Sequence, residues 1–139
     1  MKKIIVLFIG LAVFSSCSQK IDVSKIDAIN GYWQINKAVN ADDDKKEYPV
    51  NEVYDYYSIK DKVGFHKKVT WQPDGTFLVN DLQDKVKITV EKEKVFIEFS
   101  SEYGKYTEEL ESISNEEMIL VAKDQTKFFY KKVVLETAK

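Results

Sequence analysis

Residues 85–99 spell KVKITVEKEKVFIEF, two runs in which apolar residues recur at every second position. The apolar rows are Val86, Ile88 and Val90 in the first run and Val95, Ile97 and Phe99 in the second. Successive side chains of a strand point to opposite faces, so this period of two predicts two half-buried strands. The polar residues 91–94 between them predict a tight turn, and the whole stretch predicts an antiparallel hairpin.

The same alternation runs from Gly31 towards the end of the chain. Its strongest interruption is Pro73-Asp74-Gly75, in which the proline pre-sets φ, the aspartate caps the turn and the glycine accepts a positive φ. A weaker break is expected from Asp81 to Asp84. Strands are predicted near 31–39, 53–60, 65–72, 76–80, 85–90, 94–100, 105–113, 117–122 and 127–134.

This order of strands favours a closed sheet, because a long meander without helices leaves two exposed edges unless it closes on itself. We therefore expect an all-β domain, an up-and-down antiparallel meander of eight to nine strands that closes into a small barrel. A flatter open or two-sheet meander is the alternative. Residues 26–29 are predicted to form one helical turn, and residues 40–51 a mobile flap at one barrel end.

The first 17 residues have the three parts of a bacterial export signal. Lys2 and Lys3 form a positive start, residues 4–14 are apolar, and two small serines precede Cys17. The apolar run is too short to span a bilayer, which takes about 20 residues as a helix. We expect residues 1–16 to be a signal peptide, residues 17–28 a tether and residues 29–135 the folded domain.

The run Phe14-Ser15-Ser16-Cys17 resembles the lipobox of bacterial lipoproteins, although Phe14 stands where leucine is usual. The resemblance implies that the Cys17 thiol receives a diacylglyceryl group, that the bond before it is cleaved, and that the lipid anchors the protein to a membrane. Ser18 after the cysteine, without an acidic stretch beside it, implies the periplasmic face of the outer membrane. The alternative is an ordinary secretory signal with an incidental cysteine.

The start of the first predicted strand, Gly31-Tyr32-Trp33, resembles the Gly-x-Trp with which lipocalins and lipocalin-like domains open. The resemblance implies that Gly31 bends the chain into the strand, that Trp33 plugs the closed end of a barrel, and that a basic residue of the last strand covers the indole. Lys131, or Lys132 beside it, takes that place here in a cation–π contact, where the family usually has arginine. Residues 71–77 and 117–131 are similar to hairpins of small lipocalin-like lipoproteins of Bacteroidota.

Composition and titratable residues argue against several classes of function. The chain has a formal net charge of −2 and no arginine, unlike a nucleic-acid-binding protein with its basic face. Its one histidine, His66, lies on the polar side of its strand, where we expect contact with solvent. Once Cys17 carries lipid, no thiol remains for a disulfide, a metal or a nucleophile. We therefore expect no enzyme and no cofactor.

An acidic run, Asp42–Asp44 with Glu47, offers the oxygen ligands that Ca²⁺ prefers. It lacks the glycine and the alternating spacing of a known calcium loop. A solvated acidic loop is the interpretation we adopt, and no metal site is predicted.

Charged residues interrupt three apolar rows. They are Lys37 between Ile35 and Val39, Lys67 between Phe65 and Val69, and Glu108 between Tyr106 and Leu110. If these rows face inward, Lys67 and Glu108 pair with each other or meet the polar end of a ligand, since buried charge needs a partner. Together with Tyr57 and Trp71 they are the predicted ligand-binding residues. The alternatives are a β-bulge that turns the charges outward and a position at the rim.

Two functions remain open at this point. One is a lipid-anchored binding protein of the cell envelope that holds a small apolar or amphipathic ligand. The other is a non-enzymatic interaction module with a filled core, which serves an envelope protein complex through its outer surface; Tyr54 and Tyr56, opposite the face of Tyr57, could make such contacts. Interior size separates the two, because small barrels fill with side chains while wider ones hold a ligand.

Cys17→Ala is expected to release the protein from the membrane fraction or to leave it as an unprocessed precursor, because no thiol remains to take the lipid. Cell fractionation followed by electrophoresis measures both effects. A Cys17→Ala protein that stays in the membrane fraction with the mobility of the wild type contradicts the lipoprotein interpretation.

Overall fold

The computed structural model describes residues 21–49 and 52–134, and for residues 77–82 it describes the backbone alone. The predicted signal peptide and Cys17 lie outside the described residues. A 3₁₀ helix, Val23–Ile29, comes first, and Asp22 caps it by accepting a hydrogen bond from the Ser24 amide at 2.9 Å. No helix within residues 21–49 or 52–134 is long and apolar enough to cross a membrane.

Nine strands follow in the described part of the chain. They are β1 (Gly31–Val39), β2 (Lys45–Glu47), β3 (Val53–Lys60), β4 (Val63–Trp71), β5 (Phe77–Glu91), β6 (Lys94–Ser101), β7 (Gly104–Ile113), β8 (Glu117–Val121) and β9 (Lys127–Val133). From β3 to β9 each strand pairs with the next in antiparallel order, and β1 pairs with β3 on one edge and with β9 on the other.

The pairing of β1 with β9 closes strands β1 and β3–β9 into a barrel, and β2 is an extra strand on β1. The predicted up-and-down antiparallel barrel is therefore confirmed, and the open or two-sheet alternative is wrong. Closure satisfies the hydrogen-bonding groups that two free edges would have exposed.

The predicted division of residues 76–90 into two strands is wrong. The expected break at Asp81–Asp84 does not end a strand, because β5 runs unbroken through it. The irregularity there is a bulge. Lys67 of β4 pairs with Gln83, but Val69, two residues on, pairs with Val79, four residues back along β5. β5 therefore carries the extra residues of the bulge while its pairing with β4 continues.

The predicted flap, residues 40–51, contains strand β2. β3 pairs with β1 only at Gly31–Trp33, and β2 occupies the same edge of β1 at Lys37–Val39. In the turn between β1 and β2, Asn40 Oδ1 accepts hydrogen bonds from the amides of Asp42 and Asp44, at 3.0 and 2.9 Å. Part of the acidic run therefore closes a turn.

One end of the barrel, which we call the closed end, is sealed by Trp33 at the base of the core. Trp33 is fully buried, and its Nε1 donates to the Ile29 carbonyl of the 3₁₀ helix at 2.8 Å. Lys132 Nζ lies 4.7 Å from the centre of the indole and donates to the carbonyls of Ala28, at 2.7 Å, and Asn30. Burial lowers the pKa of Lys132.

Of the two lysines expected at this contact, Lys132 makes it and Lys131 does not. In the β1–β9 ladder Lys132 stands directly opposite Trp33, so both side chains point to the same face. Lys131, one residue away, points to the other face and is exposed. Gly31 has φ of +116°, and a Cβ there would lie 3.1 Å from Lys132 Cε, so the glycine gives the bend and also leaves room for the lysine.

Trp33→Ala is expected to lower the free energy of unfolding by about 3–5 kcal/mol, the range for truncating a buried large aromatic. Chemical denaturation followed by circular dichroism measures the change. Tyr103→Ala is the matched control: its side chain is 81% exposed, so we expect a change of less than about 0.5 kcal/mol. A loss below about 1 kcal/mol for Trp33→Ala contradicts its role as the plug.

Candidate functional site

The barrel interior beyond the Trp33 plug, which we call the open half, has a charged layer that begins at Asp55, the β3 residue directly opposite Trp33. His66 is 6% exposed and stands between two aspartates. Its Nε2 lies 2.8 Å from Asp55 Oδ1 and its Nδ1 lies 3.1 Å from Asp84 Oδ2. Each ring nitrogen of His66 therefore has a carboxylate oxygen within hydrogen-bond distance. The expected surface position of His66 is therefore wrong.

The register of β4 explains why His66 lies inside. His66 pairs with Tyr57 of β3 and with Asp84 of β5, and Gly64 pairs with Val86. Tyr57 and Val86 belong to the buried core, so the pleat turns the residues of β4 that pair with them inward. In the apolar-looking row of β4, Phe65 and Lys67 are consequently on the outer side, whereas Val69, past the register shift that follows Lys67, is 2% exposed.

Lys67, predicted to bind a ligand, therefore does not face the barrel interior. Trp71, also predicted to bind a ligand, is the half-buried last residue of β4 and pairs with Phe77 of β5. Lys67 Nζ lies 5.1 Å from the ring centre of Phe65 and 5.7 Å from that of Tyr56. Tyr56 in turn lies 4.8 Å from Tyr32 between ring centres. These four residues, Tyr32, Tyr56, Phe65 and Lys67, form what we call the outer aromatic patch. On this outer face, the ring of Tyr56 and the side chain of Lys67 pack against Phe65.

Lys37 also points away from the core. A register shift between Ile35 and Lys37 interrupts the β1–β9 ladder, and Lys37 Nζ then lies 4.6 Å from the ring centre of Phe129. The expected β-bulge alternative is therefore the right one for Lys37.

Glu108 does face inward, because it pairs with the fully buried Ile97. Its Oε2 is buried and has no hydrogen-bond partner among the described residues. Burial raises the pKa of Glu108, the nearby His66 lowers it and Asp55 raises it further. The predicted pair of Lys67 and Glu108 does not form, since Lys67 lies against Phe65 and Tyr56 on the outer side of β4 and the neighbour of Glu108 is His66.

Aromatic rings surround this charged layer. Tyr57 is 2% exposed and its ring centre lies 4.6 Å from that of His66. Phe99 meets the His66 ring edge-on at 5.5 Å, and Tyr106 stacks on Phe99 at 4.7 Å. Burial raises the pKa of Tyr57, Tyr106 and Tyr130, and the nearby carboxylates raise it further, so all three phenols keep their protons.

Two clefts reach this layer from solvent. The smaller, of about 250 Å³, is lined by His66, Asp84 and Tyr106 among others. The larger, of about 1010 Å³, lies between residues 105–109 of β7 and the turn at 121–125. β7 pairs with β8 only from Glu109 onward, so this part of its edge borders a side opening in the barrel wall. Glu108, Tyr106 and Phe128 line the larger cleft.

This arrangement can hold a polar group but offers no obvious catalytic base. Both nitrogens of His66 already contact carboxylates. Within the described ranges no group of three or more histidine, cysteine, aspartate or glutamate side chains could hold a metal ion. The site is therefore suited to recognising a ligand by hydrogen bonds and charge.

Sequence reasoning found Tyr57 and Glu108 of this site but missed Asp55, His66 and Asp84. Asp55 interrupts the inward row of Val53, Tyr57 and Ile59, which is the same signal that selected Glu108. Asp84 continues the row of Val86 and Ile88 by one step. His66 gave no such signal, because its own row is polar.

Glu108→Gln is expected to raise the free energy of unfolding at neutral pH, because burial disfavours the ionised carboxylate. The folded pKa is raised, so the wild type loses stability relative to the variant as pH rises from the ordinary glutamate value through the raised one. Denaturation at about pH 4 and pH 8 measures the difference, which should be larger at pH 8. Glu98→Gln, with an outer, solvent-exposed carboxylate, is the control. A Glu108→Gln protein less stable than the wild type at pH 8 contradicts this account.

Comparison with known proteins gives a family. A family model for the lipocalin-like domain matches residues 29–120. The fold is similar to that of a lipocalin-like protein from Bacteroides uniformis, with 18% identity, a TM-score of 0.51, and coverage of 76% of this chain and 99% of that one. An uncharacterized protein from Bacteroides eggerthii is also similar, with 14% identity, a TM-score of 0.48, and coverage of 75% and 98%. No curated protein matches significantly.

The family match spans most of the barrel, from the end of the 3₁₀ helix into β8. It includes the Gly31-Tyr32-Trp33 opening and every charged residue of the interior layer. Lys132 and the rest of the last strand lie beyond the matched residues, so the plug contact rests on the structure itself. The chain belongs to the lipocalin-like domain family, a family of binding domains that are typically not enzymes.

Proposed function

We propose that the protein is a lipid-anchored binding protein of the cell envelope that takes a small amphipathic ligand in the open half of its barrel. The observation that carries this proposal is the larger cleft, which reaches from solvent through the side opening to Glu108. Its lining combines apolar rings with a few polar groups, the usual composition of a site for a small ligand.

The depth of such a site is limited. Trp33 and its neighbours fill the closed end, and the layer of Asp55, His66 and Asp84 lies across the interior above them. A ligand would therefore sit at the open half and against the side opening. Its polar end would reach Glu108 and its apolar body would contact Tyr106 and Phe128.

The anchoring part of the proposal rests on where the predicted tether reaches the barrel. Ile21 packs against the core cluster that includes Ile26 and Ile29 of the 3₁₀ helix, at the closed end. From Cys17 to Ile21 the chain can span at most about 14 Å. A lipid on Cys17 would hold the closed end near the membrane, at the periplasmic face of the outer membrane, and leave the open half facing the aqueous compartment.

A second candidate function is favoured by the outer aromatic patch. Aromatic rings on the outer side of β1, β3 and β4 could contact an envelope protein, as interfaces are enriched in such residues. In that case the barrel would act as a scaffold and the interior layer would serve its structure alone.

A binding titration separates the two functions. The chain from residue 17 onward carrying Cys17→Ser is titrated with N-phenyl-1-naphthylamine, a neutral dye whose fluorescence rises in apolar surroundings. We expect saturable binding of one dye per chain. Tyr106→Ala should weaken it by about tenfold, or roughly 1.4 kcal/mol, because this ring lines both clefts.

Val63→Ala is the matched control, since Val63 is 61% exposed at the hairpin beside the closed end. It should leave dye affinity unchanged, and thermal denaturation checks that Tyr106→Ala stays folded. Dye binding that survives Tyr106→Ala but is lost in Phe65→Ala would support the outer patch instead. Absence of saturable binding would contradict the ligand-binding proposal.

A further inference from the structure

We infer that the polar end of the ligand is a cation, an ammonium or guanidinium group on a small apolar body. This inference rests on the ligand site proposed above and assigns its chemistry. Two observations support it. Glu108 Oε2 is buried without a hydrogen-bond partner among the described residues, and both ring nitrogens of the neighbouring His66 already contact Asp55 and Asp84.

The charges of the interior layer do not balance. Three carboxyl groups, from Asp55, Asp84 and Glu108, converge on the ring of His66, which has two nitrogens. Asp55 and Asp84 occupy both. Glu108 therefore has an electrostatic neighbour but no donor, and its Oε2 is a buried acceptor that remains unsatisfied within the described residues.

The lysines around the larger cleft do not supply the missing donor. Lys94 Nζ lies 3.7 Å from Glu109 Oε1 and Lys105 Nζ lies 3.9 Å from Glu98 Oε1. Lys123 lies in the exposed turn after β8 and contributes only to the rim. Lys68, exposed at the rim of the smaller cleft, is not among the residues that line the larger one.

An unsatisfied buried acceptor is destabilising, so a ligand that brings a donor to it gains the hydrogen bond that the empty site lacks. A cation does so best, because hydrogen bonds to an ionised group are the stronger kind and the surrounding carboxylates add attraction. Burial raises the pKa of Glu108 in the empty site, and a cation beside it would favour the ionised form again. An anionic head group would instead meet three acidic side chains.

The rings beside Glu108 fit the same chemistry. Tyr106 is 49% exposed, is stacked on Phe99 and lines both clefts, so its free face is open to a cation–π contact. Phe96 and Phe128 supply apolar wall in the larger cleft for a short hydrocarbon body. The site thus pairs acidic acceptors with aromatic surfaces.

The test compares three probes with one hydrocarbon chain and different head groups: octylammonium, octanol and octanoate. Each is titrated into the Cys17→Ser chain, and displacement of N-phenyl-1-naphthylamine gives its Kd. We expect octylammonium to bind about tenfold more tightly than octanol, which corresponds to about 1.4 kcal/mol, and octanoate to bind most weakly.

Glu108→Gln keeps the shape of the side chain and removes its charge. We expect it to abolish the preference for octylammonium over octanol while the Kd of octanol changes by less than about twofold, a difference under roughly 0.5 kcal/mol. Glu98→Gln makes the same chemical change on the outer side of the neighbouring strand and should keep the preference. Should Glu108→Gln fail to fold, Asp84→Asn is the second variant and should weaken octylammonium selectively.

The outcomes distinguish this inference from the proposed function. Octanol or octanoate binding as tightly as octylammonium overturns the cation inference, while the dye still reports a working site. A preference for octylammonium that survives Glu108→Gln overturns the role given to that carboxylate. If the dye itself does not bind, the proposed function fails and the inference fails with it.

Discussion

The contact between Trp33 and Lys132 organises the closed end on which the rest of the barrel depends. It joins the first strand of the barrel to the last, at the pairing that closes the sheet. Lys132 also donates to two carbonyls at the end of the 3₁₀ helix, and Trp33 donates to a third. One lysine therefore covers the indole, caps the helix and ties both to the closing strand.

The charged layer of the open half is a costly arrangement for a domain of this size. Buried ion pairs often contribute less to stability than apolar residues of similar volume, because desolvation offsets their attraction. His66 recovers part of that cost by satisfying two aspartates, but Glu108 remains unsatisfied. Natural proteins tolerate such groups mainly where binding uses them, and stabilising replacements at functional sites commonly reduce function. An unpartnered acceptor at the wall of an open cleft fits that pattern better than a purely structural role does.

The two surfaces that could contact other molecules lie on different parts of the wall. The outer aromatic patch is on β1, β3 and β4, whereas the side opening is bordered by β7 and the turn between β8 and β9. In the order of strands around the barrel, β5 and β6 separate these two surfaces on one side and β9 separates them on the other. A partner bound to the patch would therefore leave the side opening free. Ligand binding and a protein contact are compatible on this barrel.

The sequence by itself predicted most of the strands and favoured their closure. Period-two rows such as Val86, Ile88 and Val90 specify a strand locally, and Gly31 with Trp33 marks where the barrel begins. Glu108 could be found because a single charge in an apolar row is visible in one strand. Which side of β4 faces inward was decided only by the tertiary structure. Its apolar row is covered on the outside by Tyr32 and Tyr56, from strands β1 and β3, and its polar row carries His66 to Asp55 and Asp84. Amphipathic alternation shows that a strand has two different faces. It does not show which face is buried, because burial depends on the neighbouring strands of the assembled sheet.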